Sequence, residues 1–315
     1  MKKWVLKAIV QKIISYLPMG NKINYLFQKY ITKGVYLTDE YFYDRLGHAR
    51  DHLNAGHAHT HTHTHTDFPK SCLELGTGWY PIVPIGFFLA GAEKIYSVDI
   101  SFLTSKERIT TTISRFVDAH QKGVLSDYVK VQEGRLAILL ECFDNIEELS
   151  LEDILRKLKI EYLITDARKL PLPDNSIDLV NSNNTFEHIY PEILTPILKE
   201  FKRVVNKEHG VMSHFIDMSD HFAHFDHSIN VYNFLQFTNR QWRWIDNSIQ
   251  PQSRLRIDDY RHIYHQLGIP ISEEKNRPGD VDALKTIKLD ERFVTKPLDV
   301  VAISHCQFIS KMKDA

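Results

Sequence analysis

The apolar positions of this chain fall into two kinds of run. Short blocks bounded by polar or glycine-rich sequence read as buried strands: Cys72 to Leu75, Ile95 to Val98, Glu161 to Thr165 and His209 to Ile216. Between them, apolar residues recur at three- and four-residue spacing, as in Ile109, Ile113, Phe116 and Val117, or Ile193, Ile197, Leu198, Phe201 and Val204. That spacing predicts helices with one buried face. Strands alternating with helices predict an α/β fold built on a doubly wound, Rossmann-like sheet. A helix is also expected from Arg254 to Leu267, stopped by Gly268. The tail, from Val300 to Ile309, alternates as closing strands would.

The first seventeen residues pattern differently. Lys2, Lys3, Lys7, Gln11, Lys12 and Ser15 share one helical face, and Val5, Leu6, Ile9, Val10, Ile13 and Leu17 share the other. The lysines interrupt the run too often for a secretory or membrane-spanning segment. The expectation is a cap helix, with a basic helix lying on anionic lipid as the alternative. Aromatic-rich helical sequence continues to about Leu53. The organisation expected is a helical cap over 1–56, a histidine-rich loop over 57–67 and one catalytic domain over 68–315. Within the domain, 124–160 and 217–253 read as insertions.

Composition narrows the class. A 43% hydrophobic content can fill a sizeable core, and 25% charged residues is ordinary for a soluble globular chain. The formal net charge of −1 gives no basic field for nucleic acid. Three widely spaced cysteines in apolar runs read as buried thiols of a reducing, cytoplasmic compartment, with peripheral contact to the membrane's cytoplasmic face through residues 1–17 kept open.

The candidate chemistry centres on Glu74-Leu75-Gly76-Thr77-Gly78-Trp79-Tyr80-Pro81. A strand breaking at two glycines before a helix brings backbone close to a nucleotide, and Asp99, twenty-one residues after Gly78, stands where a strand-ending acid accepts from ribose hydroxyls. A dinucleotide turn needs a small residue where this chain has Pro81, which has no N–H to offer a pyrophosphate. A nicotinamide oxidoreductase is thereby disfavoured. The acid-x-Gly-x-Gly pattern instead resembles motif I of the class I S-adenosylmethionine (SAM) dependent methyltransferases, although a glycine common in that family is replaced here by Tyr80. A second block extends the resemblance. Asp166-Ala167-Arg168-Lys169-Leu170-Pro171-Leu172-Pro173-Asp174-Asn175-Ser176-Ile177-Asp178-Leu179-Val180, followed by Glu187-His188, is similar to the ubiquinone/menaquinone-biosynthesis-like branch, methyltransferase type 11.

The resemblance spans roughly residues 71–215 and implies a seven-stranded sheet whose last strand is antiparallel. It implies SAM as cofactor, with contacts at Glu74, Gly76, Thr77, Gly78, Asp99, Ile100, Asp166, Ala167 and Asn183. Asp166 would accept from the adenine amino group while the Ala167 N–H meets the ring. His188 is the first candidate general base and His221 the second. Asp217, His224 and Trp242 are expected at the acceptor, a small molecule or a glycan- or lipid-linked group carrying a hydroxyl or amine. Asp217, Asp220, His221 and His224 are ligand types, but their histidines argue against Mg²⁺, and no metal is assigned there. The row His57, His59, His61, His63 and His65 could chelate a divalent ion if extended, and reads first as a low-complexity loop. A non-catalytic SAM-fold scaffold is the rival from another class.

Overall fold

A computed structural model describes residues 2–17, 36–57 and 69–314. His59, His61, His63 and His65, and the side chain of His57, lie outside the described residues, as does the chain from 18 to 35.

The strands are β1 (Ser71–Leu75), β2 (Lys94–Asp99), β3 (Ile160–Ile164), β4 (Leu179–Asn183), β5 (Val211–Asp217), β6 (Glu273–Arg277) and β7 (His305–Lys311). They form one sheet in the order β3-β2-β1-β4-β5-β7-β6. The first five run parallel, and β7 is antiparallel to both its neighbours. This is the seven-stranded, doubly wound sheet the resemblance implies. The order reverses between β1 and β4, so a crevice opens beyond their carboxyl ends, where ligands of such sheets bind.

Two apolar cores flank the sheet. One packs the helices α2 (Asp39–His57), α3 (Ile82–Ala90), α4 (Lys106–Gln121), α5 (Glu133–Asp144) and α6 (Leu151–Lys157) around Phe87, Phe88 and Phe116. The other sets α7 (Pro191–Val204) and α9 (Ile257–Gln266) around Phe201, Tyr260 and Phe308. The charged stretch 124–160 thus supplies two short helices before β3, as its apolar face predicts. A third cluster gathers α1 (Lys3–Ser15), α8 (Asn239–Ile245) and the short helices α10 (Val281–Lys285), α11 (Glu291–Val294) and α12 (Leu298–Ala302).

Three expectations are corrected here. Residues 2–17 are helical, but α1 buries Trp4, Ala8, Gln11 and Ile14, while Leu6, Ile9 and Ile13 stand exposed. The inward face is the one carrying Lys12, whose Nζ donates to the carbonyls of Arg243 and Asp246, the open C-terminal end of α8. A satisfied cation and a large indole outweigh three aliphatic residues. The tail from Val300 to Ile303 is helix and connection rather than strand, and only β7 closes the sheet from that stretch. Its partner β6, Glu-Glu-Lys-Asn-Arg, has no apolar alternation because it is a largely exposed edge strand, protected by charge as edges commonly are. Finally, Trp242 is buried against Phe234, Phe237 and Arg254, and its Nε1–H donates to the Gln252 carbonyl. It belongs to the third cluster's interior, and the 217–253 aromatics are largely core.

Candidate functional site

The glycine turn leaves β1 as expected. Gly76 and Gly78 have φ of +76° and +71°, a left-handed backbone that residues with a side chain rarely adopt. A Cβ on Gly76 would come within 2.6 Å of Thr185 Oγ1, whereas one on Gly78 would meet nothing within 4 Å. The first glycine is demanded by packing, and the second borders open space. Asp99 ends β2 beside this space, with Oδ1 accepting from the Ser101 N–H at 3.2 Å. Burial raises its pKa, against the backbone N–H groups of Ser101, Ile100 and Gly78 that face it. Ile100, next along, is 83% exposed. An acid beside an uncovered aliphatic side chain and a side-chain-free turn suits a ribose and a flat base, so the residues present fit the nucleoside half of SAM.

Glu74 is not a ligand-facing acid. Its Oε2 accepts from Thr77 Oγ1 at 2.7 Å and its Oε1 from Asn183 Nδ2 at 3.2 Å. Thr77 in turn accepts from Ser97 Oγ at 2.6 Å. Asn183 Oδ1 meets His52 Nε2 at 2.8 Å, and His52 Nδ1 meets Ser213 Oγ at 2.7 Å. Since the Asn183 amide already donates to Glu74, His52 carries its proton on Nε2 and accepts at Nδ1 from Ser213. Burial pushes the Glu74 carboxyl up to about 7 and the His52 imidazole down to about 3. Glu74, Thr77 and Asn183 therefore shape the turn from behind, through a hydrogen-bond chain that reaches α2.

Asp166 and Ala167 follow β3. Ala167 is buried. Asp166 is exposed and clasped by Arg168, whose Nε donates to both carboxylate oxygens at 2.9 Å. That pairing, with the Arg168 N–H, lowers its pKa to about 2. It stays an ionised acceptor, although the adenine edge assigned to it would have to share the carboxylate with a guanidinium.

A second constellation stands at the carboxyl ends of β4 and β5. Asp217 Oδ1 accepts from the Ser219 N–H at 2.8 Å and faces His305 Nε2 at 3.4 Å. Its Oδ2 faces His221 Nε2 at 3.5 Å and His224 Nε2 at 3.8 Å. Burial opposes its charge, yet these partners hold the carboxyl well below the usual range. Burial lowers the His224 and His305 imidazoles, so both are neutral at pH 7. The 3₁₀ turn Phe186–His188 after β4 brings Glu187 and His188 alongside. His188 Nδ1 lies 2.6 Å from the Pro251 carbonyl, and its ring centroid is 4.9 Å from that of His221. Burial and the neighbouring His221 lower the His188 pKa to about 4, which makes it a poor proton acceptor near neutrality. The loop carrying Asp217 to His224 is pinned by Arg256, whose buried guanidinium donates to the carbonyls of Met218 and Val301.

The fold thus unites Asp217, His188, His221 and His224 at one place and sends Trp242 elsewhere. It also adds residues that sequence patterning does not single out: His52, Arg45, Arg256 and His305. Arg45 on α2 lies close enough to act electrostatically on both Glu74 and Glu187. The available sign was slight: three polar side chains, Arg45, His48 and His52, recur near helical spacing on an otherwise apolar face of α2.

Residues 139–212 match the family model described as a methyltransferase domain. No curated protein matches the chain. Among solved structures, one assigned as a sarcosine dimethylglycine methyltransferase from Galdieria sulphuraria is 14% identical, over 88% of this chain and 85% of that one, with a TM-score of 0.39. Geranyl diphosphate C-methyltransferase from Streptomyces coelicolor is 8% identical over 85% and 78%, with a TM-score of 0.45. A chain from the complex of the Haloferax volcanii Trm112 methyltransferase activator with a methyltransferase is 13% identical over 85% and 92%, with a TM-score of 0.43. Likenesses of this degree say nothing of acceptor or partner. The matched segment is thus that of a methyltransferase domain, and the motifs and the sheet that carries them resemble those of the class I SAM-dependent methyltransferases.

Proposed function

We propose that the chain methylates a hydroxyl or amine of a small-molecule, glycan-linked or lipid-linked acceptor, seated against the Asp217 constellation. The observation that carries this reading is an ionised carboxylate ringed by His221, His224 and His305 at the carboxyl end of β5. Bound at the glycine turn, SAM supplies a methyl on a positively charged sulfur. The acceptor O or N gains the methyl as the C–S bond breaks to leave a neutral thioether, so a proton must leave the acceptor. A neutral imidazole backed by an anion can take that proton, because the carboxylate stabilises the imidazolium that forms. His224 is best placed: its side chain is 59% exposed and its Nε2 is turned toward Asp217 and Ser219. The order of bases expected from sequence, His188 then His221, becomes His224 ahead of His188. Among the described residues, no helix is long and apolar enough to cross a membrane.

The test is transfer of labelled methyl to a panel of alcohols, phenols, sugars and amines, with His224→Ala alongside. The expected result is label in an O–CH₃ or N–CH₃ group, with turnover lowered about 100-fold or more in the variant. Label in a new C–C bond, or unchanged turnover in His224→Ala, would overturn the reading.

A further inference from the structure

Glu187 and His188 close the turn after β4, and His221 lies four residues beyond the end of β5. One ligand atom from each lies within 4.8 Å of the other two, the one grouping of this kind among the described residues. Both carboxylate oxygens of Glu187 are buried without a hydrogen-bond partner, and so is Nε2 of His221, which faces Asp217 Oδ2 at 3.5 Å. Glu187 is only 5% exposed, and the acid nearest it in charge, Asp217, repels it, while Arg45 is the cation that acts on it. Buried acids are ordinarily paired or bound to a metal. Here the backbone N–H groups of Glu187 and Asp217 act on the carboxylate, but neither oxygen forms a hydrogen bond of good geometry.

The His188 imidazole is oriented as a ligand, and that of His221 becomes so on one amide rotation. The Pro251 carbonyl can only accept, so His188 Nδ1 carries the proton and Nε2 keeps its lone pair. Anchoring one ring nitrogen to a backbone carbonyl is how metal-binding histidines are usually held. His221 Nδ1 lies 3.3 Å from Gln250 Nε2. Turning the Gln250 amide over presents its oxygen to an Nδ1–H and frees Nε2. That turn gives up the bond Gln11 Nε2 donates to Gln250 Oε1 at 3.3 Å, and it is restored when Gln11 turns over as well and presents its unpartnered Oε1 to the displaced amide nitrogen.

We propose that Glu187, His188 and His221 bind one divalent first-row transition ion through a carboxylate and two imidazoles. Two nitrogen donors favour Zn²⁺ or Co²⁺ over Mg²⁺ or Ca²⁺, and three protein ligands leave positions open on the ion. Ligand atoms around such an ion sit about 3 Å apart, so small side-chain rotations close the observed spacing. The ion's charge also offsets the Glu187–Asp217 repulsion. The inference concerns binding alone and stands whatever the acceptor is.

The histidine row from His57 to His65 is a competing ligand and must be removed first. The full chain with His57, His59, His61, His63 and His65 replaced by serine is stripped with chelator and titrated with Co²⁺, followed by visible absorption, then competed with Zn²⁺. One equivalent should bind, and Glu187→Gln and His221→Gln should each weaken it by about tenfold or more, with circular dichroism unchanged. If Glu187→Gln does not fold, His221→Gln decides. The proposal is overturned if the folded, row-free chain binds no ion, or if the folded variants bind it as tightly as their parent.

Discussion

The two strand-end regions of this molecule are built by different means. The end of β1 is made of backbone: two left-handed glycines, a strand-ending acid and a turn that nothing fills. The end of β5 is made of side chains: an acid, three imidazoles facing it, and Glu187 with His188 delivered by the neighbouring strand. A backbone site is specified by a few consecutive residues and tolerates almost no change at them. A side-chain site is assembled from distant segments and can lose one member while the fold stands.

The comparison breaks most sharply at Gly76. Gly76→Ala forces a Cβ to within 2.6 Å of Thr185 at a φ of +76°, and both strain and overlap apply. We expect a loss of about 3 kcal/mol in denaturant unfolding, with SAM binding abolished. Gly78→Ala meets open space and should cost only the backbone strain, about 1 kcal/mol, which separates the two glycines. Equal losses would mean that packing against Thr185 is not what Gly76 serves.

Glu74 gives the next effect, through pH. Its folded pKa of about 7 lies above the ordinary carboxyl value of 4.5, because burial favours the protonated form. The folded state therefore holds a proton that the unfolded chain has released. This contribution is fully present below pH 4.5 and is lost as pH rises through about 7. The difference amounts to about 3 kcal/mol. Glu74→Gln should flatten that part of the stability–pH curve of the ligand-free chain. An unchanged slope between pH 5 and 7 would show that Glu74 is ionised throughout.

His224, on the side-chain region, gives the smallest stability effect. Its imidazole is more than half exposed, so His224→Ala should change unfolding free energy by no more than about 0.5 kcal/mol while removing most turnover. A large loss of stability would move His224 from chemistry to structure.

This division also explains what could be read from the sequence. The glycine turn, Asp99 and the block from Asp166 to Val180 were legible because local backbone needs write themselves into consecutive residues. The pairing of Glu187 with His221 was not, because it exists only once β4 and β5 lie side by side. His52 escaped for the same reason: nothing in its neighbours on α2 announces that it bonds to Asn183 and Ser213. The inward face of α1 does not follow aliphatic count, because one buried indole and a lysine that caps a helix end outweigh it. β6 carried no strand signal because an exposed edge needs charge rather than alternation.

The most direct test of the account is calorimetric titration of the purified chain with SAM and with S-adenosylhomocysteine, beside Asp99→Ala. Saturable one-to-one binding of both, lost or weakened at least about tenfold in a folded Asp99→Ala variant, is the result the account predicts. Folded wild-type chain that binds neither, or a variant that binds as well as its parent, would contradict a nucleoside held between the glycine turn and the end of β2.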